Sequence, residues 1–377
     1  MVTKEISFTD LEAQQAIIRD KVNLALQKVL AHGQYILGPE VHELESALEK
    51  FCGAKYAISC ANGTDALVLA LMSQNLGADD CVFVPTFTFT ATASSVANVG
   101  GRIVFVDVDQ DTFNLDSKSL LAGIKKVQAA GMRPRGMIPV DLFGQPADYD
   151  VLLDIARQHD MFVIADAAQS FGASYRSKKV GAFGHVTTTS FYPAKPLGCY
   201  GDGGCVFTDD EQLSSLLDSL RMYGKGESKY DTVRVGINSR LDTMQAAILL
   251  EKLKVFPQEL DKRQQIARRY DEVLKDFVHV PVIKEGVVSS WSQYTIKLKD
   301  QKERDSVQAK LKAYGIPTVV YYHKPIHRQV AYQHCLKASD ELSNADHLAS
   351  TVLSLPMSPY LDFSDEYVEQ LLSAFES

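Results

Sequence analysis

The chain has 377 residues, 46% hydrophobic and 23% charged, the balance of an ordinary soluble globular protein with room for two domains. A net charge of −8 argues against a nucleic acid or an anionic membrane as the main partner. With no apolar signal core in residues 1–15, no membrane-length apolar run and six cysteines lacking metal-ligand spacing, the chain reads as cytoplasmic, thiol-reduced and metal-free.

Residues 10–31 carry a helical pattern with Asp10 as N-cap, and a second helix starts at Pro39, a first-turn proline behind Gly38. Strand-sized apolar runs follow at 56–59, 81–84, 103–106, 136–140, 162–165, 186–191 and 204–207, most of them rich in β-branched or aromatic residues. Helical stretches at 64–74, 90–98, 116–129 and 149–158 lie between many of them. This rhythm predicts βαβ crossovers, hence an α/β fold with a mostly parallel central sheet flanked by helices. Such sheets bind ligands at the carboxyl ends of their strands. A long helix over 241–255 is expected to stop ahead of Pro257. The boundary between a large α/β domain (1–255) and a small α+β C-terminal domain (256–377) is placed there. In the small domain, 291–298 and 317–322 read as strands, and 301–314 and 365–375 as helices.

Four motifs fall at or near strand ends. In Ala61-Asn62-Gly63-Thr64-Asp65, small residues at a strand-to-helix junction leave backbone amides at a helix head, an anion site. An ordinary helix capped by Asn62 or Thr64 fits the same residues equally well. The run 85–93 carries aromatics that either stack on a flat ring or belong to the core. Asp166, after the apolar run 162–165, is either an Asx-turn residue or a carboxylate held near a cation such as a protonated pyridine nitrogen. Lys195 sits between a strand and the glycine-rich turn Gly198-Cys199-Tyr200-Gly201-Asp202-Gly203-Gly204. A lone lysine there is a surface loop residue, whereas a desolvated one suits Schiff-base chemistry. Taken in order, a phosphate-binding helix start, an aromatic shelf, an aspartate and a lysine describe a pyridoxal-phosphate site.

These motifs resemble those of the sugar aminotransferases related to DegT, DnrJ, EryC and StrS, over essentially the whole chain from Gly33-Gln34-Tyr35-Ile36-Leu37-Gly38-Pro39-Glu40 onward. The resemblance implies a fold-type-I architecture with pyridoxal 5′-phosphate (PLP), or its pyridoxamine form (PMP), as cofactor. It implies Lys195 as the residue that bonds the cofactor and Asp166 as the partner of its ring nitrogen, both catalytic. Gln169 matches the residue at the ring hydroxyl and Phe89 the stacking aromatic. Asn62, Gly63, Thr64 and Ser190 match the phosphate contacts. Asn238, in Gly236-Ile237-Asn238-Ser239-Arg240-Leu241-Asp242, matches an asparagine that reaches the phosphate of a neighbouring subunit, which implies a homodimer with shared active sites. Arg240 is a candidate for a substrate carboxylate, or else a salt-bridge partner of Asp242 or Asp231. Tyr35, Tyr321, Tyr322 and His327 are the remaining substrate candidates.

Within the family the likeness is greatest to enzymes that aminate UDP-2-acetamido-2-deoxy-3-keto-glucuronic acid with L-glutamate, for surface polysaccharides such as lipopolysaccharide O-antigen. It rests on Gly33 to Pro39, Ser59 to Asp65, Pro196 to Gly204, and Leu353-Ser354-Leu355-Pro356-Met357. The chain departs at Tyr321-Tyr322-His323, where relatives often carry histidine at 321 and proline at 323. The alternative substrate is therefore a 3-keto or 4-keto deoxyhexose nucleotide. Dehydratase relatives replace the lysine with histidine, which Lys195 disfavours. Regulators of this fold carry a DNA-binding module, and no basic helix-turn-helix segment occurs in this acidic chain.

Overall fold

The computed structural model describes residues 6–181, 183–228 and 230–375; the outer ends of the two expected domains, 1–5 and 376–377, lie outside the described residues. Helix α1 (Leu11–His32) starts where the Asp10 carboxylate accepts from the Ala13 amide at 3.1 Å, and α2 (Pro39–Cys52) starts on its proline. The alternation that follows is β1 (Tyr56–Cys60), α3 (Gly63–Met72), β2 (Asp80–Pro85), α4 (Ala91–Asn98), β3 (Arg102–Val106), α5 (Ser117–Ala129), β4 (Arg133–Met137), α6 (Tyr149–Gln158) and β5 (Phe162–Asp166). After the short strands β6 (Ser174–Tyr175) and β7 (Lys178–Lys179) come β8 (Val186–Ser190), β9 (Gly204–Thr208) and α7 (Glu211–Leu220). The remainder is α8 (Thr243–Leu274), β10 (Val287–Val288), β11 (Tyr294–Lys297), α9 (Gln301–Ala313), β12 (Leu336–Lys337), α10 (Ser343–Thr351), β13 (Val352–Leu355) and α11 (Asp365–Ser373).

The central sheet has the order β1-β9-β8-β5-β4-β2-β3-β12, parallel except where β9 runs against β1 and β8. Successive residues of β2 feed opposite cores, as a period of two requires. Phe83 joins Leu120 and Ile124 of α5 and Leu152 of α6, while Val82 and Val84 join Leu67 of α3 and Val96 of α4. A further core gathers Ile266, Tyr270, Trp291, Tyr294, Leu311 and Leu371 around the hairpin-like pair β11–β13. No helix among the described residues is long and apolar enough to cross a membrane.

Two expectations need correction. The helix over 241–255 does not stop ahead of Pro257: α8 runs through that proline to Leu274. The missing amide is tolerated because Phe256, Leu260, Arg263 and Ile266 are buried on either side, and their packing holds the helix. The segment 317–322 is not a strand; it contributes one bridge, Val319 to Ser354, beside β13. Helices α7 and α10 and strands β12 and β13 are additions to the sequence-based assignment. Through β12, which pairs in parallel with β3, the C-terminal part of the chain completes the edge of the central sheet.

Candidate active site

Register brings the motif-bearing strand ends together. Cys60 at the end of β1 pairs with Gly204, and Gly204 pairs with Ser190 at the end of β8. One strand further, Asp166 at the end of β5 pairs with Thr188. Strands β1, β8, β5 and β2 all point the same way, so their carboxyl ends form one crevice.

The head of α3 lies at one side of this crevice. Asn62 caps it, its side-chain oxygen accepting from the Asp65 amide at 2.8 Å, and the amides of Gly63 and Thr64 remain at the helix terminus without protein acceptors among the described residues. Gly63 is pressed against β8: a Cβ added there would lie 2.5 Å from Ser190 Cβ and 2.9 Å from its hydroxyl oxygen. The Ser190 hydroxyl therefore lies beside the α3 head that carries those two amides.

Asp166 is buried, and accepts from the Thr92 hydroxyl at 3.2 Å and the Ala168 amide at 3.1 Å. Burial raises its carboxyl pKa, opposed by those two bonds and by the Lys195 charge. Lys195 is half-buried in the turn that follows β8, its amide bonded to the Tyr192 carbonyl at 2.8 Å. Desolvation lowers its ammonium pKa, opposed by Asp166. Lys195 is thus partly desolvated and within the field of a buried carboxylate.

Gln169 accepts the Phe143 amide at 2.7 Å and donates its side-chain amide to the Tyr322 hydroxyl at 3.3 Å. Phe89 is 57% exposed, its ring 6.5 Å from that of Tyr322, while Phe87 belongs to the core. Tyr321 packs against Tyr322 and Phe8. Thus the aromatic wall joins the start of the chain, the segment after β2 and the segment after α9.

The substrate candidates divide. Tyr35 is half-exposed and its carbonyl accepts from the Thr243 amide at 3.0 Å, beside the bridge from Ile36 to Asp242. This sets Tyr35 next to the loop bearing Arg240, which is half-buried and in no ion pair with Asp242 or Asp231 among the described residues. Asn238, on the same loop, is exposed. That loop is tied to the head of α3, because the Ser239 hydroxyl accepts from the Ala61 amide at 3.1 Å. His327 is buried, its ring bonded to the Thr86 hydroxyl, just past the end of β2, at 2.7 Å and 3.5 Å from the Asp346 carboxylate. Thr92, Ser239 and Asp141 complete the surroundings without having been singled out from the sequence.

The residues fit PLP on chemical grounds: free amides for a phosphate, a buried carboxylate for a protonated ring nitrogen, an exposed aromatic for a ring face, and a desolvated lysine. A family model described as the DegT/DnrJ/EryC1/StrS aminotransferase family matches residues 16–376. A Pseudomonas aeruginosa protein named UDP-2-acetamido-2-deoxy-3-oxo-D-glucuronate aminotransferase is 48% identical over 361 residues, 95% of this chain and 96% of its own. A solved DegT DnrJ EryC1 StrS aminotransferase from Brucella abortus is 49% identical, with a TM-score of 0.96 over 99% of this chain and 100% of its own. The Bacillus subtilis protein NtdA, solved with bound cofactor PMP, is 27% identical with a TM-score of 0.86, over 98% of this chain and 83% of its own.

Proposed function

The chain belongs to the DegT/DnrJ/EryC1/StrS aminotransferase family, and on that premise we propose that it moves an amino group from L-glutamate to UDP-2-acetamido-2-deoxy-3-keto-glucuronic acid. It is a PLP-dependent aminotransferase of nucleotide sugars. The observation that supports the reaction type is the placement of the buried Asp166, held by Thr92 and the Ala168 amide at the end of β5, beside the end of β8, the strand whose following turn carries the partly desolvated Lys195. The uronate and the position of the ketone rest on the 48% identity to the Pseudomonas protein.

When bound, the cofactor supplies an electron sink that stabilises negative charge at the carbon bearing the amino group. The chain's own residues do the rest. Gly63 and Thr64 amides with the Ser190 hydroxyl bind the phosphate, aided by the helix dipole of α3. Asp166 keeps a proton on the ring nitrogen, and Thr92 and the Ala168 amide fix the carboxylate's orientation. Phe89 covers a ring face, and Gln169, locked by the Phe143 amide, serves the ring hydroxyl. The Lys195 amine, with its lowered proton affinity, takes the proton from the α-carbon of glutamate and returns one to the sugar carbon in the second half-reaction. Arg240, unpaired among the described residues, takes a carboxylate of the donor or of the uronate, and Tyr35 and Tyr322 flank the sugar.

The active unit is a homodimer in which Asn238 of one subunit completes the phosphate site of the other; its exposure, with that of Val235 at 86% and Tyr230 at 88%, supports this reading. The product enters surface polysaccharide in the cytoplasm. Tyr321 and His323 favour the second reading, a 3-keto or 4-keto deoxyhexose nucleotide. Purified protein is mixed with PLP and then glutamate, followed by a panel of UDP- and dTDP-linked 3-keto and 4-keto sugars with mass detection. Visible absorption is expected with PLP and is lost on adding glutamate, and the 3-keto uronate gives the amino product. Survival of both absorption and turnover in Lys195→Ala refutes the reaction assignment; amination of a deoxyhexose alone refutes the substrate.

A further inference from the structure

Asp141 is a second buried carboxylate behind the first. It follows Val140, which bridges Asp166 in parallel register beyond the end of β4. The Asp141 amide donates to the Asp166 carbonyl at 3.0 Å, and the Asp166 amide to the Pro139 carbonyl at 2.9 Å. The Asp141 side chain is fully buried. One of its oxygens accepts from the Tyr149 hydroxyl at 2.7 Å and the Ala147 amide at 2.9 Å. The other accepts from the Ser170 hydroxyl at 2.6 Å. The titratable and charged groups that face it are Tyr149 from α6 and Asp166 from β5, with Ser170 the polar group from the turn after β5. No cation pairs with it among the described residues.

An asparagine would satisfy the same geometry. Its oxygen would serve Tyr149 and Ala147 while its amide donated to Ser170, and no charge would need burying. What distinguishes aspartate here is therefore its charge, set next to Asp166 by the strand bridge and the backbone bond between them. Burial pushes the Asp141 carboxyl up to about 7, against its three hydrogen bonds and helped by the Asp166 charge.

Building on the PLP-site reading, we propose that Asp141 is a positioning residue that acts through Asp166, anchoring the 166–170 turn through Ser170 and adding a second negative charge behind the carboxylate that holds the ring nitrogen. When Asp141 is ionised, the cations in front of Asp166 hold their protons more tightly. When it is neutral they hold them less.

The test titrates the visible absorption of PLP-loaded wild type, Asp141→Asn and Tyr149→Phe against pH. Asp141→Asn is expected to lower the midpoint by about one unit, a tenfold loss of proton affinity. Tyr149→Phe keeps the carboxylate but removes one donor, so the step belonging to Asp141 moves to higher pH. Melting of the cofactor-free proteins gives a second readout. A carboxyl whose pKa rises from an ordinary 3.8 to about 7 on folding contributes stability below the lower value that is lost as pH rises through the upper one. Wild type therefore loses melting temperature across that window, and Asp141→Asn shows a flatter curve. Coincident holoprotein titrations for wild type and Asp141→Asn overturn the proposal. If Asp141→Asn does not fold, an unmoved step in Tyr149→Phe overturns it. Failure of wild type to take up PLP overturns the premise instead, and the wild-type arm alone reveals that.

Discussion

Gly63→Ala is the sharpest test of the phosphate site, because the change is one methyl group. That methyl would lie 2.5 Å from Ser190 Cβ and 3.1 Å from its Cα, about 1 Å inside ordinary contact, so the head of α3 and the end of β8 must separate. Overpacking of this kind costs about 1–3 kcal/mol. Alanine in a helix returns up to about 1 kcal/mol relative to glycine, which leaves a stability loss of roughly 0–3 kcal/mol. The phosphate suffers more. Loss of one charge-assisted hydrogen bond costs about 1.5–3 kcal/mol, and withdrawal of the helix terminus about 0.3–1 kcal/mol. Together these give about 2–4 kcal/mol, a weakening of PLP binding by roughly 30- to 1,000-fold.

The assay titrates cofactor-free protein with PLP, following visible absorption, and repeats the titration with pyridoxal, which lacks the phosphate. Gly63→Ala is expected to weaken PLP strongly and pyridoxal little, with only a small fall in melting temperature. PLP affinity within about twofold of wild type refutes the assignment of the α3 head as the anion site. Equal weakening of both ligands refutes it too, since the damage would then not be local to the phosphate.

Two further outcomes concern the scaffold. Glu45→Ala removes one of the two carboxylates on the buried Arg221 guanidinium, which bonds Glu45 at 2.7 Å and the Ser59 carbonyl at 2.5 Å and keeps Asp218 at 2.6 Å; denaturant unfolding should show a loss of about 1.5–3 kcal/mol. Because the Arg221 carbonyl also receives the Ser239 amide at 3.0 Å, the same variant loosens the Asn238 loop, which proteolysis at 226–236 reports. Pro257→Ala restores an amide inside α8, and a higher melting temperature is expected; a lower one would mean that the proline shapes the helix to its neighbours.

The layered α/β architecture was legible because strands buried on both faces are continuous apolar runs, as in β2, and because Asp10, Gly38 and Pro39 mark helix starts by local chemistry. What local chemistry missed was decided at long range. Pro257 looked like a helix stop until burial of Phe256 and Leu260 outweighed one lost hydrogen bond. Strand β12, only Leu336 and Lys337, carries no pattern of its own; it exists because the β3 edge offers Val104 and Phe105 as partners. The partners that orient the His327 ring, Thr86 and Asp346, are likewise set by long-range packing.

The site shows the same division. A carboxylate just past a buried apolar run marks both Asp141 and Asp166, yet only Asp166 stood out, through the family motif around it. The bridge between Val140 and Asp166 is what makes the two one electrostatic unit, and register of that kind depends on strands 26 residues apart rather than on either motif. Residue types at strand ends reveal which chemistry is available. Register decides which of those groups share a field, so Lys195 and Asp166 could be named from the sequence while the carboxylate behind them needed the fold.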